Sequence, residues 1–354
     1  MKVFGLVLGA VFGALVAIGF ATPTIVLARQ LGITAIATFW VLQAFATLAA
    51  SLWPFDISEQ RSSVTIIVHS LASAAFAFVL MHVTLGRLVP ELADVPVMYV
   101  AGAALRIAAY QAIGVSIYVS EVKKQILLFG AMILFALVPM AISIRDPDLW
   151  HVYVGSLVAS SIAFLLPLRY APDGPFRLPR AKVADWLDLI SGKLALVLVA
   201  TQVDLRSFAS YVAITSVAAL LFMALSTPAE EKSDHVGAAI GRGIVLTGAY
   251  FAATHLFGAA LLRVTYPEMA GAAYWFPTLA WFGIALVPIA VWGADVYKPG
   301  RSAALVKLVW IAAIVGLALF GGVPGKLYAL TISTTIQLKG ARPKKPDGET
   351  PSGT

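Results

Sequence analysis

The chain has 354 residues, of which 60% are hydrophobic and 12% are charged, and it contains no cysteine. Soluble domains carry roughly 25% charged residues, so this composition excludes an ordinary soluble protein. The absence of cysteine excludes disulfides, thiolate nucleophiles and cysteine-ligated metals. The net charge of +7 does not indicate nucleic-acid binding, because the cations lie in short segments between long apolar runs. These runs predict an all-α polytopic membrane protein.

Twelve apolar runs are candidates for membrane spans. They cover 4–27, 33–54, 64–86, 95–119, 125–144, 149–168, 185–203, 207–227, 237–262, 270–294, 303–320 and 325–338. The first run is longer than the apolar core of a signal peptide, so we expect it to be a membrane helix. The twelfth is short, because Pro324, Gly325 and Lys326 precede its clean apolar stretch.

A polar connector rich in Pro and Arg divides these spans six and six. We predict an N-terminal six-helix half (1–168), a cytoplasmic linker (169–184), a C-terminal six-helix half (185–338) and a disordered basic tail (339–354). With both termini inside, 17 of the Lys and Arg residues fall in inner loops and 6 in outer loops. That bias is typical of cytoplasmic loops and predicts a multi-pass protein of the cytoplasmic membrane.

The two halves carry a weak internal repeat. At an offset of 172 residues, the segment from Ala28 aligns without a gap with the segment from Ala200, and Gln30 and Gln202 are among six identities. Such a repeat predicts two halves in the same orientation, related by an axis along the membrane normal. No loop is long enough to fold as a soluble domain, so we expect a transporter and not an enzyme.

Four segments together resemble one family of transporters. They are "VLARQLGITAIATFWVLQAFATLAASL" (26–52), "YVSEVKKQ" (118–125), "SFASYVAITSVAALLFMALSTPAEEK" (207–232) and "GVPGKLYALTIS" (322–333). Their order and spacing resemble the Wzx-type polysaccharide flippases of the MOP superfamily, which also contains the MATE exporters. The resemblance implies alternating access between two halves. It also implies export of an undecaprenyl-diphosphate-linked anionic oligosaccharide, with membrane lipids and polysaccharide assembly proteins as further partners and without a cofactor.

Two cations do not fit the loop pattern, because they lie within spans. Arg106 is nine residues from Val97, a depth of ~13 Å along a helix, and Lys193 is at a similar depth in the seventh span. A charge there is costly and is usually functional, so both are candidates for binding an anionic head group. The alternatives are hydrogen bonds to neighbouring carbonyls or snorkelling for Arg106, and an ion pair with Asp188 for Lys193.

Four further residues are candidate substrate contacts. Tyr110 lies one helical turn from Arg106 and is suited to stacking on a sugar, although plain packing is the alternative. Arg29, Gln30 and Gln202 lie at the outer ends of their helices, where they would meet substrate, gate the cleft or anchor the helix at the interface. We find no catalytic motif, and we expect no metal site.

Three other functions stay open on sequence grounds. The chain could be an exporter of another solute with the same fold, although two positive intramembrane charges favour an anionic substrate. It could be a membrane polymerase or acyltransferase of surface polysaccharide, although its outer loops are short. It could also be a non-transporting scaffold of an export complex.

Overall fold

The computed structural model describes residue 29 and residues 32–53, 62–119, 175–176, 193–226, 236–281 and 301–340. Regular structure within these ranges is helical. In chain order the helices are α1 (Gly32–Ser51), α2 (Ser63–Leu88), α3 (Val97–Val119), α4 (193–200), α5 (Leu205–Ser226), α6 (Val236–Thr265), α7 (276–281), α8 (Arg301–Phe320) and α9 (Gly322–Gly340). Two short 3-10 turns, Pro90–Leu92 and Pro267–Trp275, precede α3 and α7.

Two of the described helices, α1 and α2, are long and apolar enough to cross a membrane by length and composition. Helix α1 is buried on most of its surface, whereas α2 has one buried face and one exposed face. Together with the composition of the chain, these helices support a membrane protein. The count of twelve spans and the inner position of both termini stay predictions.

The described helix ends lie within three residues of the predicted ones, with one exception that has a local cause. The predicted tenth span begins at 270, but a 3-10 turn continues to Trp275 and the helix begins at 276. The weak twelfth span is a helix of 19 residues, Gly322–Gly340. Pro324 is tolerated there because the first turn of a helix leaves its N–H groups without intrahelical partners. The first, fifth and sixth predicted spans lie outside the described residues.

Consecutive helices pack as antiparallel pairs. Helix α2 packs on α3, α5 packs on α6, and α8 packs on α9, while α9 also contacts α5. Short connections favour this arrangement, because neighbouring helices joined by few residues return alongside each other. A hydrophobic cluster drawn from both predicted halves runs through the described helices and includes Phe45, Met81, Phe208 and Leu330.

Helix α2 reverses the usual distribution of polar residues in a soluble helix. Its buried face is mainly polar towards the N-terminus, with Ser63, Thr65, His69, Ser70 and Ser73, and apolar towards the C-terminus, with Ala74, Ala77, Met81 and Leu85. Its exposed face carries Val64, Val68, Leu71, Phe76, Val79 and Val83. An apolar outer face and a polar inner face are what a helix needs when lipid surrounds it and polar groups face the protein interior.

The same backbone turn follows α2 and α6. The amide of Val89 donates to the carbonyl of Leu85 (2.8 Å), and that of Tyr266 donates to Leu262 (2.7 Å). A Pro-Glu pair then starts each 3-10 turn, after residues with closely similar backbone angles (φ −129°, ψ 87° at Val89 and φ −133°, ψ 70° at Tyr266). This repeat, 177 residues apart, is a second sign that the two halves are related.

Candidate functional site

Arg106 lies in the middle of α3, where it is partly buried against two aromatic rings. Its guanidinium carbon is 5.1 Å from the ring centroid of Phe39 on α1 and 5.5 Å from that of Tyr110, one turn along α3. Its Nη2 atom is 3.4 Å from the hydroxyl of Tyr110. Both distances to the ring centres are within the range of cation–π contacts. The predicted neighbour Tyr110 therefore does share the face of Arg106.

The charge of Arg106 is held without a counter-ion in the part of the chain that the structure describes. The contacts found for its guanidinium are to aromatic groups, and no described carboxylate pairs with it. A guanidinium has five N–H donors in a planar fork, and a single weak hydrogen bond to Tyr110 leaves donors for another acceptor. The arrangement is therefore suited to a phosphate or carboxylate, which guanidinium groups bind through two parallel hydrogen bonds.

Lys193 is the first described residue of α4 and is partly buried. Among the described residues no contact joins Lys193 to Arg106, so a shared site for the two cations stays a prediction. The alternative partner of Lys193, Asp188, lies outside the described residues. The observed site is thus built by α1 and α3 of the N-terminal half, with Arg106, Tyr110 and Phe39 as its members.

The candidates at the helix ends have different surroundings. Arg29 donates a hydrogen bond from Nη2 to the carbonyl oxygen of Val264, in the last turn of α6. Gln202 is exposed, and its Nε2 donates to the carbonyl oxygen of Leu198 in the preceding helix (3.0 Å). Gln30 lies outside the described residues. Arg29 therefore joins the first predicted half to the second, whereas Gln202 closes the end of its own helix.

Two more contacts join the predicted halves, one at the same end of the helices as Arg29 and one that reaches from that end to the middle of α1. The backbone N–H of Leu205 donates to the carboxylate of Glu91 (3.3 Å). The rings of Trp40 and Tyr266 meet edge to face, with centroids 5.8 Å apart. Sequence reasoning missed Glu91, Trp40 and Tyr266. A carboxylate bonded to a distant backbone N–H has no signature in sequence, but the repeated Pro-Glu pair was a readable signal.

Sequence reasoning also missed the buried polar face of α2. The hydroxyl of Ser73 is 3.4 Å from the side-chain oxygen of Gln111 on α3, one residue from Tyr110. His69 stacks on Phe176 of the predicted linker, with centroids 5.5 Å apart. Within the described ranges, no three His, Asp or Glu residues are grouped as a metal site requires. The signal was polar residues at helical spacing in an apolar run, at 63, 70 and 73.

Comparisons with known proteins complete the description of the site. No family model matches the sequence, and no curated protein matches it. Among solved structures, the chain is similar to the inward-facing conformation of a multidrug resistance MATE family transporter of the MOP superfamily, with a TM-score of 0.49, 12% sequence identity and 92% of each chain covered.

Proposed function

We propose that the protein moves an undecaprenyl-diphosphate-linked anionic oligosaccharide across the cytoplasmic membrane by alternating access between its two halves. The substrate class comes from the family resemblance of four sequence segments. The proposal assigns binding of the diphosphate to Arg106 and Lys193, with Tyr110 beside the sugar or phosphate. The lipid tail would stay in the bilayer, where the exposed apolar face of α2 meets acyl chains.

One observation carries this proposal. Arg106 is a permanent positive charge in the middle of an apolar helix, held between Phe39 and Tyr110 and without a carboxylate partner among the described residues. A structural arginine at this depth would be expected to pair with an acid or with carbonyl oxygens. The position of the Arg106 guanidinium between the rings of Phe39 and Tyr110 instead favours reversible binding of an anionic ligand.

The test is complementation of a flippase-deficient strain with the wild-type chain, Arg106→Ala, Arg106→Lys and Lys193→Ala. A hydrogen bond to a charged group contributes about 1.5–3 kcal/mol, so Arg106→Ala should bind substrate roughly 10- to 150-fold more weakly. We expect glycan export to be lost in Arg106→Ala and partly kept in Arg106→Lys, which retains the charge but not the planar fork. Export is measured as surface glycan per unit of membrane-inserted protein.

Arg87→Ala is the matched control, because Arg87 is an exposed arginine in the last turn of α2. It should export at the wild-type level. If Arg106→Ala and Lys193→Ala both export glycan at the wild-type level, the role of these cations is wrong. If the wild-type chain does not restore export of any lipid-linked glycan in strains of differing glycan type, the substrate class is wrong.

A second candidate is an exporter of a smaller polar solute with the same fold. The buried polar face of α2 and the contact between Ser73 and Gln111 favour this function. Polar side chains inside the protein can bind a small polar solute that carries no lipid. This function predicts that Ser73→Ala and Gln111→Leu change the susceptibility of cells to toxic solutes. The oligosaccharide function predicts that glycan export alone responds to Arg106→Ala.

A further inference from the structure

Three contacts join the predicted halves, and two of them lie at one end of the helices, the end that the distribution of Lys and Arg places outside. The third joins Tyr266 at that end to Trp40, which lies eight residues into α1. The three contacts are Arg29 to the carbonyl of Val264, Glu91 to the N–H of Leu205, and the ring of Trp40 to that of Tyr266. We propose that these three contacts, here called the outer contact, are the gate that closes the outer side of the transporter. This inference rests on the proposed alternating access, but not on the identity of the substrate.

Arg29 places a positive charge at the negative end of a helix dipole. Its guanidinium binds the carbonyl of Val264, and α6 ends at Thr265, so the acceptor is one of the last carbonyls that lack an intrahelical donor. Cations stabilise this end of a helix, and the effect is confined to the last turn. Arg29 is therefore engaged by the C-terminal half in this conformation, and it would become available to substrate when the halves separate.

Glu91 makes the opposite interaction at the start of α5. Asp204 precedes this helix, and its carboxylate accepts hydrogen bonds from the backbone N–H (2.9 Å) and the hydroxyl (2.8 Å) of Ser207. The backbone N–H of Leu205 does not bond to Asp204. It donates a hydrogen bond to the carboxylate of Glu91 in the other predicted half. The first turn of α5 is thus capped by two carboxylates, one from each half. Separation of the halves would leave Asp204 in place and remove Glu91.

The third contact adds an apolar element beside the two charged ones. Tyr266 is 3% exposed and follows the end of α6, and Trp40 lies on α1, a helix buried on most of its surface. Edge-to-face rings attract over a broad range of geometries, so they tolerate small rotations of the halves. All three contacts are non-covalent interactions between the two predicted halves. Each can therefore break and form again in every transport cycle.

The gate can be tested by distance measurement in the full chain, reconstituted in lipid nanodiscs without substrate. The chain has no cysteine, so spin labels can be attached to introduced cysteines without background. Asp94→Cys with Gly271→Cys reports on the outer end, because both positions are exposed and belong to different halves. Val64→Cys with Gly241→Cys reports in the same way on the other end.

The test variant combines Arg29→Gln with Glu91→Gln. Each contact of a charge with a helix end should shift the equilibrium about two- to five-fold, so the pair should raise the ratio of open to closed molecules roughly tenfold. We expect a longer distance at the outer pair and a shorter one at the inner pair, since rocking of two halves moves the ends in opposite directions. The matched control is Arg263→Gln with Glu268→Gln, two exposed residues near the end of α6.

Two results would overturn the gate. One is an unchanged outer distance in the test variant. The other is a longer outer distance with no change at the inner pair, which would mean local loosening. If the distances change as expected but no lipid-linked glycan is exported by the wild-type chain, the gate stands and the oligosaccharide function fails. If glycan is exported and the distances do not change, the gate fails alone.

Discussion

The turns that follow α2 and α6 begin with the same backbone conformation, but they differ in length, with three residues of 3-10 helix in the first and nine in the second, and in their long-range contacts. In each, an N–H closes onto the carbonyl four residues earlier, a Pro-Glu pair follows, and three apolar positions are buried. Glu91 of the first turn reaches Leu205 in the other half. Glu268, its equivalent in the second turn, is exposed, and the residue that reaches across there is Tyr266.

This difference separates what local sequence dictates from what tertiary structure dictates. Proline fixes φ and lacks an N–H, so it ends the preceding helix and starts the 3-10 turn in both halves. Which side chain of the turn then contacts the other predicted half depends on the helix that lies opposite the turn. Each turn contributes one residue to the outer contact, and the two residues are not equivalent. The backbone repeat is therefore symmetric, while the contact between the halves is not.

The largest effect should appear when a glycine is enlarged in the helix that precedes each turn, Gly86 in α2 and Gly258 in α6. A Cβ at Gly258 would lie 2.3 Å from Cδ1 of Phe276, whose side chain is 1% exposed and cannot move aside. A Cβ at Gly86 would lie 3.0 Å from Cα of Ala93, a milder approach. Overpacking of this kind costs about 1–3 kcal/mol, so Gly258→Ala should lower the free energy of unfolding by that amount and Gly86→Ala by less.

Thermal unfolding in detergent measures this comparison, with Gly248→Ala as the control. Gly248 is an exposed residue of α6, and a methyl group added there would meet no atom within 4 Å. Alanine at this position should therefore be neutral or mildly stabilising, because it is the better helix former. A Gly258→Ala variant as stable as the wild type would mean that Phe276 is not fixed against α6.

A substitution of Asp204 measures how much of the capping of α5 comes from this residue and how much comes from Glu91. Loss of an N-terminal cap costs about 0.5–2 kcal/mol, so Asp204→Ala should destabilise the protein by that amount, whereas Asp204→Asn keeps an acceptor oxygen but loses the charge and should lie between Asp204→Ala and the wild type. The hydrogen bond from the backbone N–H of Ser207, followed by that from its hydroxyl, lowers the pKa of Asp204 below its usual value.

The lowered pKa of Asp204 determines how the free energy of unfolding changes with pH. Because the folded protein has the lower pKa, the stabilisation by Asp204 is complete above the unfolded pKa of about 3.9 and is lost as the pH falls through the folded value. Unfolding measured from pH 7 down to acid conditions should therefore show the wild type and Asp204→Ala converging. An equal gap between the two at every pH would show that the carboxylate charge has no role in the cap.

The aromatic part of the outer contact should be worth less than the cap. A double-mutant cycle of Trp40→Leu and Tyr266→Leu isolates the ring contact from the burial of each side chain, and edge-to-face pairs contribute about 0.5–1.5 kcal/mol. We expect a coupling free energy in that range from thermal unfolding. Tyr266→Leu with Trp53→Leu is the control pair, since Trp53 contacts Phe76 instead, and it should show no coupling.

The sequence indicated much of the helical fold and two of the three members of the candidate site, Arg106 and Tyr110. Apolar runs located α2, α3 and α5 to within a few residues, because burial of apolar surface decides where these helices lie. Arg106 was recognisable as a charge in such a run. Its partner Phe39 was not, because a contact between α1 and α3 depends on helix rotation and packing. The bonds of Arg29 and Glu91 were equally hidden, since every residue offers the same backbone groups.

The smallest expected effect is the most direct test of the comparison between the turns. Glu91→Gln removes a charge from the start of α5 and should lower the free energy of unfolding by about 0.3–1 kcal/mol, while Glu268→Gln should leave it unchanged. The two substitutions are chemically identical and occupy the same position in the same turn, so any difference must come from the long-range contact. Equal effects of the two substitutions in thermal unfolding would mean that each glutamate acts only within its own turn. The contact between Glu91 and Leu205 would then contribute nothing to stability.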